Sequence, residues 1–141
     1  GLRFFTVYGP WGRPDMAYYK FAKKISDGEE IDVYNHGKMK RDFTYIDDIV
    51  RGVISAIDKV SGYEVINLGN NKPVELEHFI DLIEKNLGKV AKKNYLPMQP
   101  ADFLENYADI EKAKIILDWE PSTNVEEGIK KFVAWFKEYH K

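Results

Sequence analysis

The chain has 141 residues, 44% of them apolar and 31% charged, with a formal net charge of -2. That balance fits one folded α/β domain of ordinary size, and the lack of any basic tract beyond the short "KMKR" argues against a nucleic-acid partner. With no cysteine, disulfides, thiolate nucleophiles and cysteine-based zinc sites are excluded. No apolar run of about 18 residues is present to span a membrane, and no basic segment precedes the apolar opening as in a secretory signal, so a cytoplasmic setting is expected.

Residues 2–8, "LRFFTVY", predict a single strand, broken by the Gly/Pro-rich "GPWGRPD". A helix is predicted from Met16 to Ile25, with Phe21, Ala22 and Ile25 on one side. "IDVY" reads as a strand, "NHGKMK" as a turn or hairpin loop, and "RDFTYI" as a second strand. Asp47 or Asp48 is then placed to cap a helix over "IVRGVISAIDKV", whose Ile49, Val53, Ile54 and Ile57 are expected to face the core. "YEVINLG" predicts a strand. The following helix shows the plainest 3.6-residue period, through Leu76, Phe79, Ile80, Ile83 and Leu87, with Gly88 at its C-cap. A connector rich in Lys, Pro and Asp comes next, then a short helix capped by Asp109, a turn at "DWEPSTN", and a last helix over about 125–139. That helix is expected to bury Val125, Ile129, Phe132, Val133 and Phe136. Strand and helix alternate throughout, which points to an α/β or α+β class.

Several familiar chemistries are missing. There is no Gly-x-Gly-x-x-Gly loop, no phosphate-binding Walker sequence and no His-Glu-x-x-His. The three histidines, at 36, 78 and 140, are too scattered for a metal site. Tyr-x-x-x-Lys occurs at Tyr19/Lys23 and Tyr34/Lys38, but the second spans a strand end and a glycine loop, and the first follows "YGP" rather than preceding it. Neither pair is read as an acid/base couple.

Other residues offer binding chemistry. Arg41 adjoins an extended aromatic segment in which Phe43 and Tyr45 alternate with Asp42 and Thr44, so that one face is aromatic. An arginine fork beside a ring can clamp a diphosphate and its attached base, although a surface arginine on an edge strand satisfies the same spacing. Arg13 stands in a loop just past a strand end, a usual position for ligand contacts in α/β folds and equally for solvated side chains. Asp102, in a loop after two prolines, could accept bonds from sugar hydroxyls or simply face water.

Taken together, "LRFFTVYGPWGRPDM", "GKMKRDFTYIDDIV", "NLGNNKPVEL" and "LPMQPADF…YADIEKAK…LDWEP" resemble the C-terminal part of NAD-dependent epimerase/dehydratase proteins, the extended short-chain dehydrogenases of nucleotide sugars. Within that family they are most similar to UDP-glucuronate 4-epimerases. The resemblance implies a C-terminal fragment of an extended Rossmann-type enzyme: a late sheet strand in residues 1–15, then a small mixed α/β substrate-binding domain in residues 16–141, some segments of which pack back on the Rossmann domain. It implies NAD as cofactor, a UDP-sugar (UDP-glucuronate or UDP-galacturonate) as substrate, an N-terminal Rossmann domain outside this stretch and a homodimeric full-length enzyme. Phe5, Thr6 and Val7 would pass the nicotinamide and the sugar. Thr6 and Arg13 would seat the glucuronate carboxylate, Arg41 the UDP phosphates, and Phe43 would lie beside the nucleotide. Gln99 matches a phosphate- or ribose-contacting position, and Asp102 an acid that contacts the ribose. No catalytic residue is expected in the chain, and alone it is expected to be inactive. A dehydratase or decarboxylase with the same tail, and a non-catalytic nucleotide-sugar-binding module, remain open alternatives.

Overall fold

Two consecutive backbone N–H groups define the centre of the fold. Phe5 donates to Leu68 O at 3.3 Å, and Thr6 donates to Asp42 O at 3.1 Å. Successive N–H groups of an extended chain point to opposite edges, so the opening strand serves a different neighbour on each side. It is therefore two elements rather than one in this computed structural model, which describes residues 1–100 and 102–141. β1 (Leu2–Phe4) pairs in parallel with β6 (Ile66–Leu68), and β2 (Thr6–Tyr8) in parallel with β5 (Phe43–Tyr45). The second register sets Thr6 opposite Phe43.

α1 (Ala17–Asp27) buries the expected Phe21, Ala22 and Ile25, and Tyr18 and Tyr19 besides, and ends at Gly28 in the left-handed region (φ 75°). β3 (Glu30–Tyr34) follows, with Ile31 and Val33 buried on one face. "NHGKMK" does turn the chain, through left-handed Asn35, His36 and Gly37, but it closes no hairpin. β3 pairs in parallel with β8 (Lys92–Leu96), and β4 (Lys40–Arg41) runs antiparallel to β7 (Val74–Glu75). β8 lies inside the stretch expected to be a connector. Its central lysine explains how so polar a strand is held: Lys93 Nζ sits 2.7, 3.1 and 3.3 Å from Glu77, Asp81 and Glu84. Those acids recur at i, i+4 and i+7 along α3 (Leu76–Leu87). Burial pushes the Lys93 ammonium down, but the three carboxylates outweigh it and raise it above its ordinary value.

α2 (Ile46–Lys59) begins three residues before the expected helix, with Tyr45 as its N-cap. Asp47 and Asp48 are thus first-turn residues rather than caps, placed where a carboxylate is favoured by the helix dipole. The expected apolar face is also corrected. Ile49 is buried, whereas Ile54 and Ile57 are exposed, Ile57 by 77%. The packed side is centred on Ile49 and Gly52, where a Cβ at 52 would fall 2.7 Å from Leu68 Cδ1. α3 matches its periodicity and ends at left-handed Gly88. α4 (Glu111–Leu117) has Ile110, not the expected Asp109, in the N-cap position; Asp109 stands one residue earlier, where its Oδ1 accepts the Glu111 N–H at 3.1 Å. α5 (Val125–Tyr139) is capped by Asn124, which accepts from Glu127 N–H at 2.8 Å, and it buries all five predicted residues.

Two apolar clusters result. The larger joins α1, β3, α3 and α5 around Tyr8 and Phe43; the smaller joins Ile49, Ile66, Leu68, Leu117 and Trp119. Among the described residues, no helix is long and apolar enough to cross a membrane.

Candidate functional site

Asp42 separates β4 from β5 and is 0% exposed. A carboxylate at that depth must be fully hydrogen-bonded. Oδ1 accepts the Asn70 N–H at 2.6 Å and the Thr44 hydroxyl at 3.2 Å. Oδ2 accepts the N–H groups of Asn71 at 3.0 Å and Ala108 at 2.8 Å. The carboxylate therefore ties the strand to the loop after β6 and to the segment before α4. Gly69 permits this approach: a Cβ there would lie 2.4 Å from Ala108 Cβ and 2.8 Å from Asp42 Oδ2. With Asp42 and Thr44 held on this side, Phe43 and Tyr45 face the other way, as the alternation predicts.

A cleft of about 660 Å³ opens on that other side, and Thr6, Arg41, Phe43 and Asp102 all line it. The Arg41 guanidinium donates to Asp102 Oδ1 at 2.5 Å, to Phe103 O at 2.8 Å and to Lys40 O at 2.9 Å. The two side chains are 18% and 28% exposed, so their pairing is partly screened from water. Asp102 Oδ1 also accepts the Phe103 N–H at 2.8 Å, which fixes the loop carrying it. Phe43 lies flat on Phe79, with ring centroids 3.8 Å apart, and so joins the core to the cleft wall. A cation, a carboxylate, a hydroxyl and an aromatic wall in one cleft can hold an anionic, hydroxylated ligand that carries a flat ring.

The remaining candidates lie elsewhere. Residues 5 and 7 alternate with Thr6 along the strand, and Phe5 and Val7 line a second cleft of about 550 Å³ together with Gly9, Trp11 and Arg13. The run Phe5-Thr6-Val7 therefore offers two faces rather than one contact surface, and Thr6 and Arg13 do not share a cleft. The Arg13 side chain is 74% exposed, with its guanidinium 3.2 Å from Asp15 and 3.5 Å from Met16 Sδ. Gln99 is exposed beyond β8 and lines neither cleft; its backbone carbonyl accepts the Asp102 N–H at 3.2 Å. Ala101 of the "ADF" segment lies outside the described residues.

Lys20, Lys24 and Asp32 also line the first cleft and were not singled out by sequence, and so does Tyr34, which was weighed only in the Tyr34/Lys38 match. The spacing of Lys20 and Lys24 is the one signal that could have found them, since residues at i and i+4 share a helix face. In the Tyr19/Lys23 match, the Tyr19 hydroxyl lies 2.8 Å from His140 Nε2 and Lys23 pairs with Asp27 at 2.8 Å.

A second buried carboxylate fastens the first turn of α2. Asp48 accepts from Arg51 at 2.5 Å, from the Ser122 hydroxyl at 3.0 Å, and from the N–H groups of Ser122 and Thr123 at 3.2 and 2.9 Å. Burial pushes its carboxyl up, but the bonds from Arg51, Thr123 and Ser122 outweigh this and hold it below its ordinary value.

Comparison with known proteins gives the setting for these clefts. The family model described as "NAD dependent epimerase/dehydratase family" matches residues 1–69. An uncharacterized protein of Methanocaldococcus jannaschii is 59% identical over 138 residues, covering 98% of this chain and 42% of that protein. UDP-glucuronate 4-epimerase of Thermodesulfobacterium geofontis is 49% identical over 138 residues, covering 97% of this chain and 42% of the relative. The crystal structure of UDP-glucuronic acid 4-epimerase from Bacillus cereus, in complex with UDP-glucuronic acid and NAD, superposes with a TM-score of 0.90 at 36% identity, over 98% of this chain and 45% of that one. The chain thus spans less than half the length of the curated relatives it matches. Fold and relatives agree along nearly its whole length, and the chain is similar throughout to proteins of the NAD dependent epimerase/dehydratase family.

Proposed function

We propose that this chain forms the nucleotide-sugar seat of an NAD-dependent UDP-sugar 4-epimerase that interconverts UDP-glucuronate and UDP-galacturonate. The observation that carries this reading is the convergence of Arg41, Asp102, Phe43 and Thr6 on one cleft. In the reading, Arg41 holds phosphate oxygens, Asp102 accepts from ribose hydroxyls, Phe43 lies beside the nucleotide, and Thr6 and Arg13 address the sugar from two sides of β2. Gln99 contacts the nucleotide only if the loop after β8 turns inward. The 49% identity to a UDP-glucuronate 4-epimerase supports the choice of sugar.

Residues 1–15 belong, on this reading, to the end of a Rossmann domain, and residues 16–141 mostly to the substrate domain, with β6 returning to pair with β1. The same reading takes the full-length enzyme as a cytoplasmic homodimer, which its sedimentation and its cell fractionation test. The second cleft bears on the cofactor. Its apolar wall of Phe5 and Val7 fits one face of a flat ring such as nicotinamide. The phosphates of NAD find no Gly-x-Gly-x-x-Gly loop in this sequence to hold them. When bound, NAD supplies hydride acceptance and return at the sugar C4. The chain's own residues bind and orient: they fix the nucleotide end so that the sugar is presented beside β2, and none of them moves a proton.

Calorimetric titration with UDP-glucuronate tests the reading. The unsubstituted chain is expected to bind it, and Arg41→Ala to weaken binding by about 1–3 kcal/mol, the scale of a charge-assisted bond. Unchanged affinity in Arg41→Ala removes the phosphate role.

A further inference from the structure

Nearly every charge lining the first cleft is already satisfied. Arg41 is bound to Asp102 at 2.5 Å, Lys24 Nζ donates to Glu30 O at 3.0 Å, Asp32 accepts from Asn94 at 2.8 Å, and Asp15 pairs with Arg13 at 3.2 Å. The exception is Lys20. Its ammonium has no hydrogen-bond or ion-pair partner among the described residues, although its side chain lines the cleft. The helix explains this direction. Ala17 and Lys24, one turn before and one turn after it on α1, line the same cleft.

The charge balance gives this lysine a task. Arg41 and Asp102 form a pair of net charge zero, so a diphosphate that reaches Arg41 meets a cation already half spent on a carboxylate. A second cation must supply the remaining attraction or the pair must open. A lysine suits that position, since its ammonium is a point charge on a flexible stem and needs no planar partner. We propose that Lys20 is the second cation of the diphosphate seat, its ammonium contacting a phosphate oxygen of the nucleotide sugar opposite the one held by Arg41. The inference rests on the nucleotide-sugar reading and adds a residue to it.

The test titrates UDP and uridine into the unsubstituted chain and into Lys20→Gln, Lys20→Arg and Lys23→Gln. Lys23 is on the same helix, is paired with Asp27 and does not line the cleft, so its substitution controls for the change in overall charge. Lys20→Gln is expected to weaken UDP about 5- to 20-fold, leave uridine unchanged, and flatten the salt dependence of UDP binding. Lys20→Arg should restore most of the loss, and Lys23→Gln should cause none. Equal UDP affinity in Lys20→Gln and the unsubstituted chain, or an equal loss in Lys23→Gln, overturns the assignment of Lys20 alone. If the unsubstituted chain binds neither UDP nor uridine, the nucleotide-sugar reading falls and the role of Lys20 with it.

Discussion

Asp42→Ala removes the acceptor of four hydrogen bonds in one step. Three of the donors are backbone N–H groups, of Asn70, Asn71 and Ala108, and the bonds from Asn70 and Ala108 are buried. A buried donor left unpaired costs about 1–3 kcal/mol. Asn71 is exposed and can turn to water, so the two buried N–H groups and the buried Thr44 hydroxyl carry the loss, for a gross cost of about 3–9 kcal/mol. Relief of the carboxylate's own desolvation, and water entering the vacated space, recover part of that. The net expectation is about 2–4 kcal/mol, a large share of the 5–15 kcal/mol that ordinary domains possess. Urea denaturation followed by tryptophan fluorescence measures it: the midpoint should fall with little change in slope. Asp42→Asn keeps the volume but turns an amide NH₂ toward at least one N–H donor, and should lose less than alanine without approaching the parent. Because Asp42 lies between Arg41 and Phe43, both variants should also weaken UDP binding under conditions where they remain folded. A stability loss below about 1 kcal/mol in Asp42→Ala would refute the claim that this carboxylate organises the site.

Gly128→Ala should destabilise the chain by about 1–3 kcal/mol, because its Cβ would fall 2.0 Å from the Tyr8 hydroxyl. Tyr8→Phe deletes that buried hydroxyl, which has no partner among the described residues, and should be neutral or stabilising by up to about 1 kcal/mol. The double variant should then lose clearly less than the sum of the two, and additive denaturation midpoints would contradict the contact. The lowered carboxyl of Asp48 sets a pH dependence. A carboxylate whose folded value lies below its unfolded value contributes stability that is full above the unfolded value near pH 4, and loses it as pH falls through the folded one. Urea midpoints should therefore drop on the acid side in the parent and drop less steeply in Asp48→Asn; parallel profiles would show that Asp48 contributes nothing there.

The parts of the fold that sequence foretold are those set by local chemistry. α3 and α5 follow from apolar periodicity, and Gly88 from the need for a left-handed residue at a helix end. β8 was hidden because "KKNYL" is polar, and its stability depends on acids that only the folded α3 brings to Lys93. The same distance in sequence concealed the work of Asp42, whose backbone partners lie 28 to 66 residues away. Aspartate's preference for caps misled at Asp48, which instead holds the turn before α5. Arg41 and Asp102 were both legible as ligand-contacting types, but not their contact with each other across 61 residues. Residues 5–7 are a different case, since strand alternation by itself sets Thr6 on the face opposite Phe5 and Val7.

The most direct measurement of the central claim is a crystal structure of the chain grown with UDP-glucuronate. The account predicts the diphosphate in the first cleft, within hydrogen-bonding distance of the Arg41 guanidinium, with the nucleotide beside Phe43 and Asp102. Ligand density outside that cleft, with Arg41 still bound to Asp102, Met39 Sδ and the backbone of residues 40 and 103, would contradict it.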